Sequence, residues 1–141
     1  MKNRLLIMML VVCILAVCQK SANSPSESRA TGDLVQLAGC ARDVLEKASD
    51  ADSCFTYTFG DNLTVDFCVT ANCCPDTDRF QLDYSIGAGS IQVTVLDTAE
   101  NLCRCICPYL IHTEFTELSE DSYHFIVEYN ESVLYEKQVS R

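Results

Sequence analysis

The sequence predicts an all-β fold: an immunoglobulin-like antiparallel β-sandwich of about seven strands, preceded by a short N-terminal helix and rich in disulfides. Three observations carry this. From Phe55 onward, apolar residues recur at every second position, the period of a half-buried strand. Turn-forming residues punctuate these runs at short intervals. Eight cysteines fall between residues 33 and 141, an even number in one small domain. The chain has no tryptophan, so the core tryptophan of true antibody domains is missing.

The elements follow in order. Lys2 and Arg4 precede an unbroken apolar run from Leu5 to Val17. Thirteen residues is shorter than the ~20 that cross a bilayer. It matches the apolar region of a secretory signal peptide, expected at residues 1–17. Leu15-Ala16-Val17-Cys18 reads as a lipobox, with Val17 where Gly or Ala is preferred. Cys18 is then the expected lipidation site, and acyl chains there would hold the protein to a bacterial membrane. Without lipidation the protein would be periplasmic or secreted. Residues 18–32, rich in Ser, Asn and Pro, read as a flexible tether, and residues 33–141 as the cysteine-rich domain. Leu34, Leu37, Ala41 and Leu45 recur at helical spacing behind Asp33, a capping residue, and predict a helix within Asp33–Ala48.

Strands are expected at Phe55–Phe59, Leu63–Ala71, Phe80–Ile86 and Ile91–Val95. Gly60-Asp61-Asn62 and Gly87-Ala88-Gly89 provide turns. Over residues 103–118 the odd positions are Cys103, Cys105, Cys107, Tyr109, Ile111, Thr113 and Phe115, which places all three cysteines on one mostly apolar face. Tyr123, Phe125, Val127 and Tyr129 form the next inward row, and Asn130-Glu131 turns into a last strand over Val133–Val139.

Charge excludes one class of partner. Without Lys2 and Arg4, eight basic residues face twenty acidic ones, a net charge near −12. Such a surface repels phosphate backbones, so nucleic acid is not an expected partner.

The cysteines hold whatever chemistry the sequence offers. Cys13 lies in the leader, which leaves Cys40, Cys54, Cys68, Cys73, Cys74, Cys103, Cys105 and Cys107 as disulfide candidates. The structural expectation is bridging from Cys73-Cys74 to the Cys103-x-Cys105-x-Cys107 strand, with Cys40 to Cys54 tying the helix to the first strand. Cys68 falls on the polar face of its strand and has no obvious partner. The alternative is a thiolate cage of Cys73, Cys74, Cys103, Cys105 and Cys107 for zinc or copper. The spacing is not that of the C-x-x-C zinc motifs. A thiol-redox enzyme is less favoured, since no C-x-x-C opens a helix.

Hydrolase and phosphate-binding motifs are lacking: there is no G-x-S-x-G, H-E-x-x-H or glycine-rich phosphate loop. His112 and His124 fall on outward faces, and carboxylates such as Asp66 and Asp83 suit solvated faces. Asn62-Leu63-Thr64 and Asn130-Glu131-Ser132 match the glycosylation acceptor pattern, which has meaning only in a eukaryote. The overall expectation is a non-enzymatic envelope protein that binds an unidentified protein or small molecule or acts structurally.

The order Cys40, Ser53-Cys54-Phe55-Thr56-Tyr57, Asn72-Cys73-Cys74-Pro75 and Cys103-Arg104-Cys105-Ile106-Cys107, then Ser122-Tyr123-His124-Phe125, resembles a group of uncharacterised bacterial envelope proteins. The similarity runs from about Gly32 to Val139. It implies an exported or lipid-anchored single β domain. The group carries Asp after the aromatic that follows its cysteine-rich strand, whereas here Leu110 follows Tyr109, and Cys68 is an addition. Any site built on that Asp is therefore not implied for this chain.

Overall fold

The structure is a computed structural model, described here for residues 30–37, 39, 54–74 and 77–141. The described residues form eight strands: β1 (Thr31–Gln36), β2 (Thr56–Phe59), β3 (Leu63–Asn72), β4 (Phe80–Gly87), β5 (Ser90–Asp97), β6 (Ile106–Thr116), β7 (Ser122–Tyr129) and β8 (Ser132–Ser140). Two four-stranded sheets form, ordered β1-β6-β3-β2 and β4-β5-β7-β8. The all-β, two-sheet expectation holds.

Alternation builds both inner faces. In β3, Leu63, Val65, Phe67, Val69 and Ala71 are buried. Ile91, Val93 and Val95 answer them from β5, and Tyr123, Phe125 and Val127 from β7. Aromatic rings lock the layers edge to face: Phe115 meets Phe125 at 5.9 Å and Phe80 meets Tyr109 at 5.3 Å between centroids. The turns supply the backbone that tight hairpins need. Asn130 and Glu131 both take positive φ, 47° and 65°, between paired Tyr129 and Ser132, and Gly89 takes φ 70° beside Ala88.

One expectation is corrected. Residues 33–36, expected to begin a helix, belong instead to strand β1, paired antiparallel to β6 from Thr31↔Thr116 to Gln36↔Ile111. Residues 38 and 40–48, which hold most of the rest of that expected helix, lie outside the described residues. Leu34 fits both periods. The open edge of β6 decides for the strand, because its backbone groups need partners. The pairing is mostly antiparallel, as expected, with one parallel pair among the described strands. After β5 the chain crosses to the other sheet as β6 and returns as β7, which therefore runs parallel to β5.

Gly32 shows how closely β1 is fitted. A Cβ built on it would stand 2.7 Å from the Phe115 ring and 3.2 Å from that of Tyr84. The Gly32 N–H meanwhile donates to the Tyr84 hydroxyl at 2.9 Å, joining the two sheets at their edge. Gly32→Ala is expected to lower stability by about 1–3 kcal/mol, as for other overpacked sites. Urea denaturation checks this; an unchanged midpoint would show that Phe115 moves aside freely.

Candidate functional site

Twice the chain changes sheets at the same end of the sandwich: between β3 and β4, and between β5 and β6. The first crossing begins with Cys73-Cys74 and the second carries Cys103 and Cys105. Disulfides join them, Cys73 to Cys105 and Cys74 to Cys103, each with Cα atoms 5.6 Å apart. Continuing the β3–β6 register one residue beyond Asn72↔Ile106 sets Cys73 opposite Cys105. The Cys73 N–H accordingly still donates to the Cys105 carbonyl at 3.3 Å. The first bridge thus extends the ladder past the last regular strand pair.

Asn72 organises both crossings. Its Oδ1 accepts from the Cys74 N–H at 3.0 Å and the Cys103 N–H at 3.3 Å, and its Nδ2 donates to the Cys103 carbonyl. Its own carbonyl accepts from the buried Tyr109 hydroxyl at 2.7 Å. One side chain thereby fixes the backbone at both ends of the Cys74–Cys103 bridge.

Beneath lies Arg79, whose side chain is fully buried. Its Nη2 meets Asp97 Oδ2 at 2.8 Å and Asn101 Oδ1 at 2.9 Å, and its Nε donates to the same Asp97 oxygen at 3.1 Å. Nη1 donates to the Cys74 carbonyl at 3.1 Å. The Arg79 N–H donates to Gln36 Oε1, and its carbonyl accepts from Thr98 N–H and Oγ1. A buried guanidinium stays charged and needs such a set of acceptors. Burial, followed by the Asp97 carboxylate, pushes the nearby Tyr129 phenol above its ordinary range.

The third bridge among the described residues corrects another expectation. Cys54 pairs with Cys68, not with Cys40. Cys40 itself lies outside the described residues. Cys68 does occupy the outward face of β3, and Cys54 covers it, leaving the two only 3% and 6% exposed. Cys107 is buried on the inner face of β6 and is also disulfide-bonded. The single face expected for Cys103, Cys105 and Cys107 is not formed, because β6 begins only at Ile106; Cys103 and Cys105 sit in the preceding loop, half-buried.

The sulfur atoms nevertheless converge. Sγ of Cys74, Cys103 and Cys105 all lie within 4.8 Å of one another. Of the five cysteines in the zinc or copper alternative, these three form the cluster. Arg79, Asp97 and the organising role of Asn72 were missed from sequence.

The histidines are outward, as parity places them. His112 Nδ1 meets Asp66 Oδ1 at 2.6 Å across β6 and β3, and His124 Nε2 meets Glu136 at 2.9 Å across β7 and β8. Both members of each pair are more than a third exposed, so neither contributes much to stability. Val35 on β1 faces His112, with Leu110 and Glu114 beside it on β6. The glycosylation-pattern asparagines are engaged in the fold: Asn62 donates to Glu114, and Asn130 accepts from the Asp97 N–H.

Disulfides on this scale belong to an oxidising compartment outside the reducing cytosol. No helix among the described residues is long and apolar enough to cross a membrane. Residues 1–17 and Cys18 lie outside the described residues. Compared with known proteins, the chain matches no family model, no curated protein and no solved structure.

Proposed function

We propose that this is a non-enzymatic cell-envelope protein, held to a bacterial membrane through lipid on Cys18, whose disulfide-locked sandwich acts as a binding or structural module. The observation that carries this reading is the use made of the polar groups at the cysteine-rich end. Asn72, Arg79, Asp97 and Thr98 are engaged in holding the two crossings to each other, and no buried side-chain polar atom among the described residues is left without a partner. Active sites tend to show the reverse, with polar groups aimed at empty space. The resemblance of its cysteine order to an exported bacterial group points to the same compartment.

Expressing the full chain in a bacterium tests the anchor. The wild type is expected to take up labelled fatty acid and partition with membranes, and Cys18→Ala to lose both. Equal solubility of the two proteins would contradict lipid anchoring and leave the sandwich as a freely diffusing exported domain.

A further inference from the structure

The cysteine-rich end gathers more sulfur than a pair of staples needs. Cys105 is bonded to Cys73, yet its Sγ also lies within 4.8 Å of both sulfurs of the neighbouring Cys74–Cys103 bridge. Three thiolates bound to one soft ion at about 2.3 Å stand about 4 Å from each other. Cys105 Sγ already stands within 4.8 Å of the other two, and opening the Cys74–Cys103 bond lets those side chains rotate apart to the same spacing.

Hydrogen bonds hold the same backbone alongside the S–S bonds. Asn72 fixes the amides of Cys74 and Cys103, the Cys73 N–H holds the Cys105 carbonyl, and buried Arg79 holds the Cys74 carbonyl. Accessibility also separates these bridges from the others. Cys73, Cys74, Cys103 and Cys105 are half-buried, whereas Cys54, Cys68 and Cys107 are 3%, 6% and 1% exposed. A reductant reaches the end of the sandwich first.

We propose that, once a dithiol has reduced both bridges, Cys74, Cys103 and Cys105 bind one Cu(I) ion. Each bridge takes up two electrons and two protons from one dithiol, which is oxidised to its own disulfide. Cu(I) then displaces three protons, and the Cys73 thiol keeps its own. Thiolates favour Cu(I) and zinc over harder ions, but structural zinc closes with four ligands. A set of three selects Cu(I). The site rests on this geometry and stands or falls independently of the lipid anchor.

The test uses the mature protein without oxygen. A phosphine reductant is applied until four thiols appear and is then removed. Cu(I) is added as its acetonitrile complex against bicinchoninate. The expected result is one Cu(I) per reduced chain and none held by the oxidised chain, with three sulfur neighbours in X-ray absorption. Cys74→Ser, Cys103→Ser and Cys105→Ser should each weaken binding at least tenfold in fully reduced protein, while Cys73→Ser retains it. Far-UV circular dichroism follows the fold throughout. Failure of the reduced wild type to compete with bicinchoninate would overturn the proposal. So would equal binding by all four variants, or loss of the β signal when the four thiols form.

Discussion

Replacing all four cysteines at the crossings with serine is expected to cost about 5 kcal/mol, while replacing only Cys73 and Cys105 costs about 1–2 kcal/mol. The inequality follows from nesting. The two bridges close loops of 32 and 29 residues that are almost the same loop. Either alone supplies most of the unfolded-state constraint, about 3.6 kcal/mol in the chain-entropy account. Once one is present, the other closes only a few further residues. Chemical denaturation of the oxidised variants checks this as a cycle. Equal and additive losses from each pair would show that native-state packing around each bridge, not chain entropy, sets its worth.

Arg79→Met is expected to lower stability by about 3–5 kcal/mol, the range for breaking a buried ion pair from one side. Asp97, only 13% exposed, would be left without the guanidinium it faces. Asn101 Oδ1 and the Cys74 carbonyl would lose their donors as well. Arg79→Lys should recover part of the loss but not all, since one ammonium cannot replace a planar fork that serves Asp97, Asn101 and Cys74 together. Thermal and urea unfolding read both. A Met variant as stable as the wild type would mean that water takes over the guanidinium's contacts at little cost.

The local parts of this fold were legible, and the long-range parts were not. Strict alternation marked Leu63–Ala71 and Tyr123–Tyr129 because each has one wet and one dry face. The Cys54–Cys68 bridge was within reach as well. The turn at Gly60-Asp61-Asn62 sets the β2–β3 register, and two residues beyond Thr56↔Asp66 it places Cys54 opposite Cys68. Treating Cys68 as an awkward outward residue hid that. Strand β1 was lost to a short segment whose apolar spacing suited two periods, and only pairing with β6, some 80 residues on, separates them. Arg79 carried no signal. Its burial follows from Asp97, which comes near only once Phe80 pairs with Asp97 across the β4–β5 hairpin. In the same way, Asn72 gains its role when β3 meets β6.

A disulfide map of the oxidised mature protein tests the account most directly. Trypsin cuts after Arg104 and so separates Cys103 from Cys105, and electron-transfer fragmentation divides Cys73 from Cys74. The structure predicts Cys54–Cys68, Cys73–Cys105 and Cys74–Cys103. Cys40 is then left as the expected partner of Cys107. Free thiols at Cys73, Cys74, Cys103 or Cys105 in material taken from an oxidising compartment, or a Cys73–Cys74 bond, would contradict the stapled crossings on which the rest is built.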